Sequence, residues 1–490
     1  MRNHLINRHR AIGILISGVL LSAAMAGGIS PSAAQDRPSG PMDHGGIIGG
    51  IGAGLAIGIG GALLQQAITS HDSGDRPPGG SKKAAVRSSG GGGGGASAGG
   101  GNGRSGVPPR GEQRFVADEI IVEFVPGVSA QTIDQIARRY NLTLLDSQSL
   151  PLIATTLYRW RIAGRRSAAD VIGAIENERA VASAQPNYIF ALQEQNVAPT
   201  ATADAGDPAQ YVLSKLQINE AHQLATGKNV VVALIDSQID AQHPDFAGAM
   251  VKSFDALGQS TPPHKHGTAI AGAITAHGKL LGIAPGAQLL AICAFDDSAE
   301  AKGTSFAIYK GLQWAVDNNA RVVNMSFAGP LDPDLRRLLA AAYAKDVVLV
   351  AAAGNAGPNA PPLYPAADVS VIAVTATDSD DAMFKMASRG DYVAMAAPGV
   401  DILAASPEAS YQQTTGTSIA AAHASGAVAL LLERKQTLKP KDVRAVLTKS
   451  AKPLGIGGHA EAGAGLINAY QALLALGGPA VGGDDGGERR

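Results

Sequence analysis

Between Val230 and Ala376 the chain carries five apolar runs of strand length, VVVALID, AQLLAICAF, RVVNMSF, VVLVAAAGN and VSVIAVTA, with helical patterns between several of them. A strand that is apolar along its whole length must be covered on both sides. The rhythm therefore predicts an α/β fold, a parallel sheet flanked by helices, over residues 208–475. In such a sheet the reactive groups gather at the carboxyl ends of the strands.

That unit does not use up the chain. At roughly 150 residues per domain, 490 residues imply about three units. The 61 glycines and 27 prolines are too many to sit in regular structure, so part of the chain is linker. Forty basic residues against 41 acidic ones leave no cationic field for a phosphate backbone, which argues against nucleic acid as a partner. Cys293 is the only cysteine, so intrachain disulfides and cysteine-based metal sites are excluded. Inside an apolar run it reads as a small buried hydrophobe.

Arg2, Arg8 and Arg10 precede an apolar run from Ala11 to Gly27, and Ser32-Ala33-Ala34 supplies small residues before Gln35. This is the pattern of a signal peptide over residues 1–34, and it predicts export to the cell envelope or beyond. Residues 35–112 read as a Gly-rich, low-complexity linker. Within it, residues 45–64 form an apolar stretch long enough to span a bilayer, with Gly50, Gly54 and Gly58 at four-residue spacing, as in close-packed membrane helices. So much glycine weakens any helix, and the other reading is a collapsed flexible segment. Over residues 113–195 the pattern is strand (118–124), helix (128–141), strand (141–146), strand (155–162), helix (167–178) and strand (181–192), a split βαβ order. Residues 476–490 read as a disordered tail.

Asp236 ends the first apolar run, His266 lies where a loop feeds a small-residue helix, and Ser418 lies at the mouth of a long apolar helix. Singly, these are a turn residue, a structural histidine and a helix cap. Together they are the parts of nucleophilic catalysis: an imidazole takes the hydroxyl proton, and a buried carboxylate fixes the imidazole's tautomer. A helix start at Ser418 brings a positive dipole to a developing oxyanion, and Asn355, after another buried run, offers a side-chain amide there.

On the motifs ALIDSQID around Asp236, HGTAIAG around His266, VVNMSFAGP around Ser326, AAAGNAG around Asn355 and GTSIAAAHASG around Ser418, the chain resembles the subtilisin-like serine proteases, the subtilases, over residues 208–475. The resemblance implies a subtilisin-like fold and a serine endopeptidase acting on polypeptides through Asp236, His266 and Ser418, with Asn355 at the oxyanion. It also implies a substrate groove bordered by Ser326, Phe327, Ala328 and Gly329 on one side and Ala352, Ala353 and Gly354 on the other, taking the peptide as an added strand. The 113–195 unit is similar to the subtilase propeptide. That likeness implies a zymogen whose own prosegment is its inhibitor, with self-cleavage between Ala191 and Gln210.

The chain departs from the family at a few positions. Gln238 stands where a glycine is usual, which would strain the turn if its φ were positive. Ala328 replaces a glycine along the groove, and its methyl is expected to narrow the pocket or disturb peptide pairing. Ala422 stands where a proline is common. His264 competes with His266 for the base, but Gly267-Thr268 favours His266; His423 reads as a helix-face residue. The stretch from His266 to Gly282 lacks the polar loop that holds calcium in subtilisin, so no cofactor and no high-affinity calcium are expected there, weak calcium binding being left open. Gln238 and Ala328 motivate an alternative, a catalytically impaired binding module on the same fold. Residues 45–64 motivate another, a membrane-surface scaffold.

Overall fold

The computed structural model describes residues 105–193, 210–298, 300–455 and 459–477. The expected signal peptide, the 45–64 stretch, the linker up to residue 104 and residues 478–490 lie outside the described residues. No helix among the described residues is long and apolar enough to cross a membrane.

The N-terminal unit follows the expected order: β1 (Phe115–Phe124), α1 (Ala130–Tyr140), β2 (Leu142–Leu150), β3 (Thr155–Ile162), α2 (Ala168–Ile175) and β4 (Val181–Leu192). Ser129 and Ser167 start the two helices by accepting the N–H groups of Thr132 and Asp170. The four strands pair antiparallel in the order β4-β1-β3-β2. Because side chains alternate across a strand, Ile120 and Val122 of β1 point to α1 and α2, where Ile136, Val171 and Ile175 cover them. Ile121 between them faces the other way, with Leu157 and Tyr188, onto the second unit.

The second unit runs through short helices α3 (Tyr211–Lys215) and α4 (Ile218–Ala221), then β5 (Val231–Ser237), β6 (Met250–Asp255), α5 (Lys265–Thr275), β7 (Gln288–Phe295), β8 (Lys302–Thr304) and α6 (Ser305–Asp317). It continues with β9 (Val322–Met325), β10 (Phe327–Ala328), α7 (Pro333–Ala344), β11 (Val348–Ala352), β12 (Val371–Thr377) and β13 (Val393–Pro398). A hairpin of β14 (Ile402–Ser406) and β15 (Ser410–Thr414) leads into α8 (Thr417–Arg434), and α9 (Pro440–Ser450), α10 (His459–Ala462) and α11 (Ala469–Leu474) follow. The parallel sheet has the order β6-β7-β5-β9-β11-β12-β13. Val232 and Leu234 of β5 pack with Ile270 of α5 and Val428 of α8, while Ala233 and Ile235 pack on the opposite face with Ile308 of α6 and Leu338 of α7. Each of these valine, leucine and isoleucine side chains contributes roughly 1.5–3 kcal/mol when fully buried. The all-apolar runs thus have helices on both faces, as expected.

One expected strand is broken. The run over 321–327 stops at Met325, and the chain leaves the parallel sheet at Ser326, so that β10 pairs with β4 instead. Ser326 is held at the bend by its own side chain: its hydroxyl accepts from Asn324 Nδ2 at 2.8 Å and donates to the carbonyl of Ser418 at 3.1 Å. The end of β4 is consequently flanked on both edges, by β8 (Ile189 opposite Thr304, Phe190 opposite Gly303) and by β10 (Ala191 opposite Ala328, Leu192 opposite Phe327).

Candidate active site

Asp236, next to last in β5, is fully buried. One carboxylate oxygen, Oδ1, accepts the Ser237 N–H and the His266 Nδ1–H, both at 2.7 Å. With Nδ1 committed as donor to a carboxylate, Nε2 is the nitrogen left to take a proton. His266 is the second residue of α5, behind the N-cap His264. The glycine after it is required by packing. A Cβ at Gly267 would lie 2.4 Å from the Ser237 carbonyl oxygen, so only glycine lets α5 press against the end of β5.

Ser418 is the second residue of α8, whose N-cap is Gly416, so the serine does not cap its helix. Its hydroxyl donates to the carbonyl oxygen of Gln193, the residue that follows β4. The N–H of the same Gln193 is bound by the Ser326 carbonyl at 3.1 Å. Asn355 is aimed by Thr417: its Oδ1 accepts the Thr417 N–H at 3.1 Å and hydroxyl at 2.9 Å. Its buried Nδ2 has no hydrogen-bond partner among the described residues. A buried amide donor left unpaired at rest is what a site for transient negative charge requires. Gly354, before it, has φ +112°, and a Cβ there would meet Leu363 Cδ1 at 2.6 Å.

The groove residues divide. Phe327 and Ala328 form strand pairs with Leu192 and Ala191, and the Ala328 methyl does not disturb this register. Gly329 is the floor under Phe190: a Cβ there would come within 2.4 Å of the Phe190 ring, which is itself edge-on to Phe327. Ala352 closes β11. The hydrogen bonds of Ala353 and Gly354 run to framework groups, Val374, Tyr392, Ser388 and Thr417. On this side it is the Asn355 N–H that reaches the peptide, at 2.8 Å from Gln193 Oε1. Gln193 and Thr417 carried no signal of their own in the sequence. The only pointer to Thr417 was its place beside Ser418.

Gln238 does not have a positive φ, so the anticipated strain is absent. Ala422 is buried within an unbroken α8. His423 lies on α8, as expected, and is enclosed there. It is 2% exposed, hydrogen-bonded through Nδ1 to the Pro398 carbonyl at 2.9 Å, and burial pushes its pKa down to about 4. Cys293 is buried in β7, and burial raises its thiol pKa. The stretch after His266 returns onto Asp245, whose carboxylate is already taken by the N–H groups of Lys279 at 2.7 Å and Leu280 at 3.0 Å and by the Tyr411 hydroxyl at 3.1 Å.

The profile of the subtilase family matches residues 227–469, and that of the fervidolysin N-terminal prodomain matches residues 102–187. Thermitase of Thermoactinomyces vulgaris is 34% identical over 272 residues, 54% of this chain and 95% of thermitase. Subtilisin DY of Bacillus licheniformis is 38% identical over 255 residues, 50% of this chain and 91% of that protein. The crystal structure of fervidolysin from Fervidobacterium pennivorans superposes with a TM-score of 0.64 at 25% identity, covering 74% of this chain and 61% of that one. All four chemical groups, Asp236, His266, Asn355 and Ser418, fall inside the segment that the first profile covers.

Proposed function

The chain belongs to the subtilase family of serine peptidases, and on that basis we propose that it is an exported zymogen that cuts itself between Gln193 and Glu194 and then cleaves other polypeptides at the same site. Ser418 Oγ attacks the carbonyl carbon while its proton passes to His266 Nε2. Asp236 steadies the imidazolium, and Asn355 Nδ2 donates to the oxyanion. Collapse returns the proton to the leaving amine and leaves an acyl-enzyme on Ser418, which water hydrolyses by the same steps in reverse roles.

The observation that carries this reading is the seat of Gln193, its carbonyl on the Ser418 hydroxyl and its N–H on the Ser326 carbonyl. The preceding residues lie in the groove as an added strand, and Phe190 fills an aromatic pocket over Gly329. Substrates with a bulky apolar residue three positions before the residue at the cut are therefore favoured. The two features that motivated an impaired binding module, Gln238 and Ala328, disturb neither backbone nor pairing. N-terminal sequencing of the mature enzyme tests the reading: the expected first residue is Glu194. A sole terminus well inside residues 210–455 would contradict it.

Replacing Asn355 by alanine is expected to lower kcat by about 10²–10³ with little change in KM, the loss measured for removal of one such donor in subtilisin. Steady-state kinetics on a peptide anilide checks this. The stretch after His266 is proposed to work without calcium, because the Asp245 carboxylate is satisfied by amide and hydroxyl donors where a cation would need oxygen ligands. EDTA is then expected to leave activity and Tm unchanged. A fall in Tm that calcium restores would refute that assignment.

A further inference from the structure

We propose that His264 is a positioning residue for the acid–base pair, closing a ring of contacts that holds the first turn of α5 against the end of β5. The inference rests on the reading of Asp236 and His266 as catalytic partners. His264 Nδ1 accepts the His266 N–H at 3.3 Å and lies 3.1 Å from Ser237 Oγ. Ser237 Oγ in turn lies 3.2 Å from Asp236 Oδ1 and accepts the Gly267 N–H at 3.1 Å. The ring is completed by the 2.7 Å bond from His266 Nδ1 to the same carboxylate oxygen. His264 is thus joined to each catalytic partner by a path that does not pass through the other.

The residue is fixed at its backbone as well. Its N–H donates to the Gln238 carbonyl at 2.8 Å, and its carbonyl accepts from Thr268 N at 3.2 Å and Thr268 Oγ1 at 2.9 Å. The Thr268 hydroxyl also accepts the Asp240 N–H at 3.1 Å, which ties the loop after β5 to the same turn. What the ring nitrogen supplies is an acceptor for the first turn of a helix, a role that asparagine fills at least as well and alanine does not. If the acceptor is lost, the turn bearing His266 is free to shift relative to Asp236, and small misplacements of a catalytic group are costly.

The test compares H264A, H264N and S237A in the full chain, allowed to mature. From a cap loss of about 1 kcal/mol, H264A is expected to lower kcat roughly five- to tenfold, with KM within about twofold. The second-order rate of Ser418 labelling by a fluorophosphonate should fall in parallel, since it needs the base but little of the groove. H264N should return kcat to within about twofold of wild type, because it restores the acceptor without the ring. S237A is expected to lower kcat also, and the H264A/S237A double variant to lose less than the product of the two single effects. Wild-type kcat in H264A, equal impairment of H264A and H264N, or an effect on KM alone would each overturn the proposal. If H264A fails to mature, H264N and S237A still decide: an H264N enzyme impaired like S237A contradicts an acceptor role. Failure of the underlying reading is distinguishable, because it would show as full activity in S418A, whatever His264 does.

Discussion

Alanine at position 418 is expected to leave the chain uncut at Gln193–Glu194 and to lower kcat by about 10⁶, the loss measured when the nucleophile of subtilisin is removed. The fold should survive the change. Ser418 is 2% exposed among small α8 neighbours, and alanine takes less room than serine with good helix propensity. The N-terminal unit should also stay in place, because β4 keeps its pairing with β8 and β10 and Ile121, Leu157 and Tyr188 keep their packing on the second unit. The expected product is therefore one folded chain of unprocessed length on a denaturing gel. Wild type and S418A giving the same processed terminus would mean that another protease makes the cut.

Asparagine at position 236 is expected to give the second large effect, about 10⁴ in kcat with KM nearly unchanged, the size seen for the same replacement in a trypsin-type triad. The reason is the direction of one proton. Asp236 Oδ1 accepts from both Ser237 N–H and His266 Nδ1–H. Both bonds end on that one oxygen, so an asparagine keeps them only with its carbonyl there, and then without the charge that steadies the imidazolium; turned over, it puts an N–H in that place and loses both. Where that N–H meets Nδ1, the imidazole must turn its own proton to Nε2, the atom that should be basic. The measurement is kcat on a peptide anilide, normalised by active-site titration. A loss of less than tenfold would contradict the assigned role of Asp236.

How much of this was legible beforehand depended on how local each cause is. The all-apolar runs announced a sheet covered on both faces, the apolar spacing over 128–141 announced a helix, and the serine at 167 marked another helix start, because those signals sit within a few residues. β13, the Ala-rich VAMAAP, carries too little β-branched character to stand out, and its place comes from pairing with β12. The break at Ser326 depends on the carbonyl of Ser418, 92 positions away, and on β4, which reaches the groove from the other unit. Gln193 lies 225 positions from Ser418, so nothing in its neighbourhood could announce that contact. The chemical groups themselves were readable because the motifs around them are contiguous. Their aim was not: Asn355 points where Thr417 holds it, and the reading of His423 as a helix-face residue did not show that α8 is buried on all sides around it.

Labelling with a fluorophosphonate after the N-terminal unit has been removed, followed by peptide mapping, interrogates the activated hydroxyl itself. The adduct is expected on Ser418, and replacing His266 by alanine should abolish it while leaving the protein folded. An adduct on some other serine, or none on an enzyme whose groove is open, would contradict the assignment of Ser418 as a nucleophile served by His266 and Asp236.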